Sequence, residues 1–235
     1  MRNFAVVCVT VAALVAGPAV AADLPQFPAA PPPVDNGLGG SFYLRASLGL
    51  NALWAHDVTY LDGCTCSVTA HSPTAGGYGY SFGAGFGYEA GNGLRADVTV
   101  DQLNNDGLTD GTYTLHLRST IALANAYYDF GLGGMGAGGL GAYVGAGIGG
   151  AYNSVSVTGS PSPGPDGWNY TAAGALMTGV TYDMGNVVAD LGYRMIYMPT
   201  ISNGSAAFPP AATAPYYINQ NLIHEVRGTL RYRFN

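Results

Sequence analysis

Lysine is absent from this chain of 235 residues, and charge of either sign is scarce. Charged residues make up 9% of it, against about a quarter in ordinary soluble domains. The fixed cations are eight arginines against fourteen acids, for a net charge of −6. A chain without basic clusters cannot neutralise nucleic-acid phosphates, which excludes nucleic acid as a partner. Long apolar runs are also missing beyond the N-terminal twenty residues, because glycine or a polar residue interrupts each one. A helix needs about 20 apolar residues to span a bilayer, so a helical membrane protein is excluded. No 3.6-residue period appears anywhere after the N-terminus. What is abundant is glycine (36 residues) and tyrosine (17). Low charge with many aromatics argues against disorder, so something must bury or coat the apolar residues.

The N-terminus sets the compartment. Arg2 precedes an apolar run from Phe4 to Val15, then Gly17, Pro18 and the small residues Ala19, Val20, Ala21 and Ala22. This is the layout of a cleaved signal peptide over residues 1–22, too short for a membrane anchor. Cys8 lies inside the apolar run, away from the cleavage zone, so no lipoprotein anchor is expected. Residues 23–40 are proline-rich and then glycine-rich, an extended periplasmic linker. Removal of the leader takes Arg2 with it and leaves seven arginines, about −7 in all.

From Ser41 to the end, apolar and polar residues alternate with period two in about eight segments of 9–14 residues. Phe42, Leu44, Ala46, Leu48 and Leu50 begin the series, followed by Tyr78 to Tyr88 and Leu94 to Val100 on even positions. In the fourth segment Tyr113, Leu115, Leu117, Ile121 and Leu123 form the apolar set, against Thr114, His116, Arg118 and Thr120. Leu140 to Ile148, a weak segment at 170–183, Val187 to Met195, and Leu222 to Phe234 complete it. Such lengths suit tilted membrane strands rather than soluble ones. The expectation is an all-β, closed, antiparallel, eight-stranded transmembrane barrel over residues 41–235 in the cell outer membrane. Tight turns at 91–93 and 184–186, and a short one at 130–139, fall at the periplasmic end. Longer loops, roughly 55–77, 103–112, 153–169 and 199–220, fall outside.

With strand one running outward, the apolar faces carry two aromatic girdles. Trp54, Tyr78, Tyr80, Tyr113, Tyr152, Tyr170 and Tyr197 form the outer one. Phe42, Tyr88, Tyr127, Tyr182, Tyr232 and Phe234 form the inner one. On this parity the arginines point inward: Arg45, Arg95, Arg118, Arg194, Arg227, Arg231 and Arg233. They meet Glu89, Asp97, Asp101, Asp183, Asp190 and Glu225. Side chains fill a barrel this small, so these charges are expected to pair into a lumen network.

Several segments resemble the small major outer-membrane proteins of alphaproteobacteria. They are the leader with Ala22-Asp23-Leu24-Pro25, Ala126-Tyr127-Tyr128-Asp129-Phe130-Gly131, Tyr143 to Gly149, and the ending Glu225 to Phe234. That family is similar in fold to the OmpA membrane domain and includes surface proteins with porin, adhesion or haem-binding roles. The resemblance implies no catalytic residues. It implies that Leu230, Tyr232 and Phe234 are read by the barrel-assembly machinery, although Phe234 is penultimate here and Asn235 follows.

Other constellations carry less. Gly145 to Gly150 matches G-x-G-x-x-G, but it lies within one alternating strand with no helix after it, so nucleotide binding is not expected. Cys64 and Cys66 share the first outer loop, and a strained disulfide is the first reading in an oxidising compartment. Metal binding with His56 or His71, and free thiols, are the alternatives; no second pair completes a tetrahedral set. His56, His71 and His224 fall near the outer rim and His116 inside, with no recognised Ser–His–acid motif. The loop acids Asp57, Asp62, Asp106, Asp110 and Asp166 would face lipopolysaccharide phosphates, where divalent cations would have to bridge. Phe208, Pro209, Pro210, Tyr216 and Tyr217 make the last loop apolar enough for adhesion.

The expected function is therefore structural: a non-enzymatic envelope barrel without cofactor or metal that displays its loops, supporting envelope integrity or adhesion. Its expected partners are outer-membrane lipids and lipopolysaccharide, the assembly machinery, and a surface ligand that the sequence does not name. A narrow pore and a lipid-modifying enzyme are the alternatives.

Overall fold

The computed structural model describes residues 40–62, 67–131, 139–159, 166–203 and 216–234. The leader, nearly all of the linker, Cys64, Cys66, Phe208, Pro209 and Pro210 lie outside the described residues. Ten strands occur among them: β1 (Ser41–Trp54), β2 (Asp57–Asp62), β3 (Ser67–His71), β4 (Gly77–Glu89), β5 (Leu94–Thr109), β6 (Tyr113–Gly131), β7 (Gly139–Gly159), β8 (Gly167–Asp183), β9 (Val187–Ser202) and β10 (Tyr216–Phe234). Eight of them form an antiparallel ring in the order β1-β4-β5-β6-β7-β8-β9-β10, closed by β1 against β10. The expected eight-stranded barrel is the observed fold.

Closure by β1 against β10 leaves no terminal edge strand in the ring, as a wall in lipid requires. The tight inner turns follow local chemistry. Gly91, Gly93 and Gly185 take φ of 75°, 89° and 93°, conformations other residues avoid. Asn92 Oδ1 accepts from Leu94 N at 3.1 Å, and Asp183 Oδ1 accepts from Gly185 N at 2.8 Å.

The outer connections are shorter than expected because the strands run on past the membrane. β5 continues to Thr109, so the expected loop 103–112 is reduced to a turn at 110–112. Asp110 Oδ1 closes that turn by accepting from Thr112 N and Tyr113 N at 2.9 and 2.8 Å. The first outer loop is itself a hairpin. β2 pairs with β10 (Asp57↔Asn219 to Tyr60↔Tyr216), prolonging the contact that β1 makes below it, and β3 pairs back onto β2.

Facing follows the expected parity on seven of the eight barrel strands. β6 is reversed. Tyr113, Leu115, Leu117, Ile121, Leu123 and Tyr127 are buried inside, between 0 and 8% exposed. Ala122, Ala124, Ala126, Tyr128 and Phe130 face lipid instead. Thr114, His116, Arg118 and Thr120 are polar because that end of β6 stands above the lipid in water, and not because it lines the lumen. Tyr113 and Tyr127 thereby leave the girdles, while Tyr128 and Phe130 join the inner one beside Phe42, Tyr182, Tyr232 and Phe234.

Candidate functional site: the filled interior

The strands bring six arginines and seven carboxylates into the lumen, in three linked groups. At the periplasmic end Arg231 binds Asp190 through Nε and Nη2 at 3.0 and 3.1 Å and also meets Glu89. Arg233 joins the same Glu89 at 2.6 Å and Asp183 at 2.6 Å. Beside them Arg95 makes a two-bond contact with Asp129, at 2.9 and 3.1 Å, and lies 3.9 Å over the Tyr127 ring. Asp97 accepts from the Tyr43 hydroxyl (2.7 Å), Arg45 (2.8 Å) and Asn125 (2.7 Å). Room for these side chains comes from inward glycines. A Cβ on Gly192 would stand 2.1 Å from the Tyr143 hydroxyl, so any larger residue there would have to displace that ring.

The third group lies at mid-barrel. Arg194 donates to Asp101 at 2.6 Å and to Glu225 at 3.0 Å. Arg227 reaches the same two carboxylates at 3.2 and 3.6 Å and donates to Ser47, while Ser81 donates to Glu225 at 2.8 Å. All four charged residues are 1 to 4% exposed. Their cycle is one layer of the interior.

Toward the outer end the polar layer gives way to an apolar one. Leu53, Leu103, Leu117, Ile196, Met198 and Ile223 pack there, none more than 1% exposed. The alternating pattern does not reveal this layer, because Leu117 on β6 reads as lipid-facing and Leu53, Leu103, Ile196 and Met198 fall past the ends of the alternating segments. Asp129 was missed for the same reason. It stands on the face of Tyr127, and reversing that strand turns it inward.

Arg118 does not belong to the lumen. It stands on the outer wall, half exposed, bonded to Asp106 at 2.9 Å. That hydrogen bond holds the Asp106 carboxyl below the usual carboxylate range. His116, expected inside, is on the same outer surface. Its Nδ1 lies 2.9 Å from Asp106, and its Nε2 lies 3.5 Å from the Thr158 hydroxyl. His224 faces outward against the Tyr193 hydroxyl. Among the described residues no group of three or more His, Cys, Asp or Glu is placed to hold a metal ion.

The outer wall carries an apolar belt. Leu48, Val98, Ile148, Leu191 and Leu230 are 59 to 76% exposed there, between the two aromatic girdles. Only lipid can coat such a surface on a closed barrel.

No family model matches the chain. In sequence it is 30% identical to an uncharacterized protein of Brucella abortus (strain 2308), over 66% of this chain and 69% of that one. Uncharacterized proteins of Brucella suis and Brucella melitensis match to the same extent. In structure it is similar to Neisserial surface protein A, with a TM-score of 0.52 and 22% identity over 83% of this chain and 99% of that one. OprG, an outer-membrane protein of Pseudomonas aeruginosa, aligns over 83% and 97% with a TM-score of 0.46 and 17% identity. The fold and the lipid-facing belt place the chain among the β-barrels of the cell outer membrane, and its sequence belongs to one family with these uncharacterized Brucella proteins.

Proposed function

We propose that this barrel is a non-enzymatic structural protein of the outer membrane, akin to the small major outer-membrane proteins of alphaproteobacteria, which displays its outer end for envelope integrity or adhesion. The observation that carries the reading is the Arg194–Asp101 bond, which crosses the lumen within a layer of buried, paired charge. With an apolar layer above it, the interior has the character of a packed core. This weighs against the narrow pore. Planar-bilayer recording tests it: the folded protein is expected to give no conductance steps, and regular steps would overturn the structural reading.

What the barrel offers outside is extended sheet. β7 has 21 residues, roughly twice the 9–11 that a membrane strand needs. Three of the acids at that end serve local structure. Asp110 closes its turn, Asp57 accepts from Thr59 and Asn219, and Asp106 holds Arg118. That leaves hydrogen-bonding and apolar contact, more than bridging cations, to hold lipopolysaccharide or a surface ligand. At the other end Leu230, Tyr232 and Phe234 share the lipid face of β10, half exposed, where the assembly machinery would read them.

The lipid-hydrolase reading finds its residue types in Asp106, His116 and Thr158. The Thr158 hydroxyl stands at the limit of hydrogen-bond reach from His116, and it also donates to Thr114 O at 3.4 Å. Arg118 competes with His116 for the same Asp106 oxygen. A nucleophile needs a tighter bond to its base than this, which supports the non-enzymatic reading.

A further inference from the structure

The ladder between β8 and β9 ends at Gly174↔Tyr197, although both strands run on. β8 continues to Gly167 paired with β7, and β9 to Ser202 paired with β10. An unbroken register would set Ala173 against Met198 and Thr171 against Thr200, and β8 and β9 make neither pairing. Higher up a side chain takes over from the backbone. Asn169 donates to Thr200 O at 3.3 Å and accepts from Ser202 N at 3.2 Å. The wall therefore has a slit, closed below by the ladder and above by Asn169.

Pro199 lies in this stretch of β9 and has no backbone N–H to give. On its other side Met198 and Thr200 pair with Asn221 and Asn219, while Gln220 between them takes φ of 52°. Among the described residues Gln220 is the one non-glycine with positive φ. The proline thus sits where the local sheet is irregular on both flanks.

On the lipid side the slit opens into an apolar groove of about 570 Å³ lined by Ala124, Ile148, Ala172, Gly174, Tyr197 and Pro199. Its depth in the membrane follows from the girdle. Ala172 and Gly174 stand two and four residues below Tyr170 on one face of β8. Tyr170 packs against Tyr152 and Trp168, with ring centroids 4.9 and 5.9 Å away. Interfacial aromatics sit at headgroup level. The groove therefore begins at the depth of the lipid linkages and runs into the chains of the outer leaflet. An interrupted sheet edge at that depth favours a polar group, because hydrocarbon cannot satisfy the backbone. A bare alkane would fill the groove and leave the slit unserved. An ester- or amide-linked acyl chain serves both.

We propose that this groove is a site for one acyl chain of an outer-leaflet lipid, its methylenes along Ala172 and Gly174 and its linkage carbonyl at the slit between β8 and β9. The site lies outside the lumen and does not depend on whether the barrel conducts.

Native mass spectrometry of the barrel released from nanodiscs of a single phosphatidylethanolamine tests the site. Wild type is expected to keep one lipid. Gly174→Leu is expected to keep none, since a Cβ at Gly174 meets nothing within 4 Å and the side chain can fill the groove. Gly228→Leu, equally open on the lipid face of β10, should keep the lipid as wild type does. Folding of each variant is checked by heat-modifiable mobility, and Ala172→Leu replaces Gly174→Leu if that variant fails to fold. Loss of lipid from wild type, or equal retention in wild type and the filled groove, would overturn the proposal.

Discussion

Arg194 on β9 donates to Asp101 on β5 at 2.6 Å, and three strands separate those two around the ring in either direction. The bond therefore lies along a diameter of the barrel. Arg227 and Glu225 close it into a cycle in which each arginine contacts both carboxylates. Neighbouring strands are held by their ladders, whereas opposite walls can be tied only through side chains. Burying four charges is costly, and mutual attraction offsets that cost only while the set is complete.

Removing one member should expose that dependence. Arg194→Ala leaves Asp101 and Glu225 with Arg227 alone, and the expected loss is about 3–5 kcal/mol. It would be read as a lower urea midpoint for folding into lipid vesicles. Arg118→Ala is the contrast, because its partner Asp106 is half exposed on the outer wall. An exposed pair contributes at most about 1 kcal/mol. Equal midpoints for the two variants would mean that the cycle does not hold the barrel.

Period-two alternation was enough to read the ring, the turn positions and the lumen charges on seven strands, because lipid outside and polar groups inside sort side chains by parity alone. It failed where the environment changed along a strand. In β6 the outer face passes from lipid at Ala124 to water at Arg118, while the inner face passes from Asp129 and Asn125 to Ile121 and Leu117. Both faces switch polarity, so the pattern of residues 113–123 reads as a reversed strand. Asn125 and Asp129 carried the correct parity. The slit beside Pro199 had a weaker signal, a proline at the start of the expected loop 199–220, and the side-chain clamp by Asn169 had none.

The facing of β6 can be tested directly. Leu123 is 1% exposed inside the barrel, so Leu123→Ala removes packed atoms and should cost about 2–5 kcal/mol. Ala124 faces lipid between the girdles, and Ala124→Arg should cost about 2–4 kcal/mol in vesicle folding. With the strand turned the other way, Ala124→Arg would enter the lumen and fold nearly as well as wild type. That result would restore the facing read from the sequence.

The outer His116 offers a check on chemistry. With Thr158 at 3.5 Å and Asp106 shared with Arg118, no activated nucleophile is expected. Lipid A from cells expressing His116→Ala should match lipid A from cells expressing wild type, acyl chain for acyl chain, by mass spectrometry. A chain present in one and missing from the other would identify the surface cluster as catalytic.

The fourth test concerns β5, where expectation and structure agree. Val98 is 59% exposed on the lipid face and Thr99 is 2% exposed in the lumen, one residue apart at mid-strand. A charge on the lipid face near the midplane costs roughly 2–4 kcal/mol, whereas lumen positions do not meet hydrocarbon. Val98→Arg should therefore weaken folding into vesicles by that order. Thr99→Ser, which keeps the hydroxyl, should do little. The pair discriminates because a slip of one residue would carry every side chain of the strand to the opposite face. The ladder rules out a local excuse: β5 pairs with β4 and with β6 without a register shift from Arg95 to Asp106, and its one bulge comes after Asp106. If Val98→Arg folds as well as wild type, that stretch of β5 does not face lipid, and the belt built on it must be redrawn.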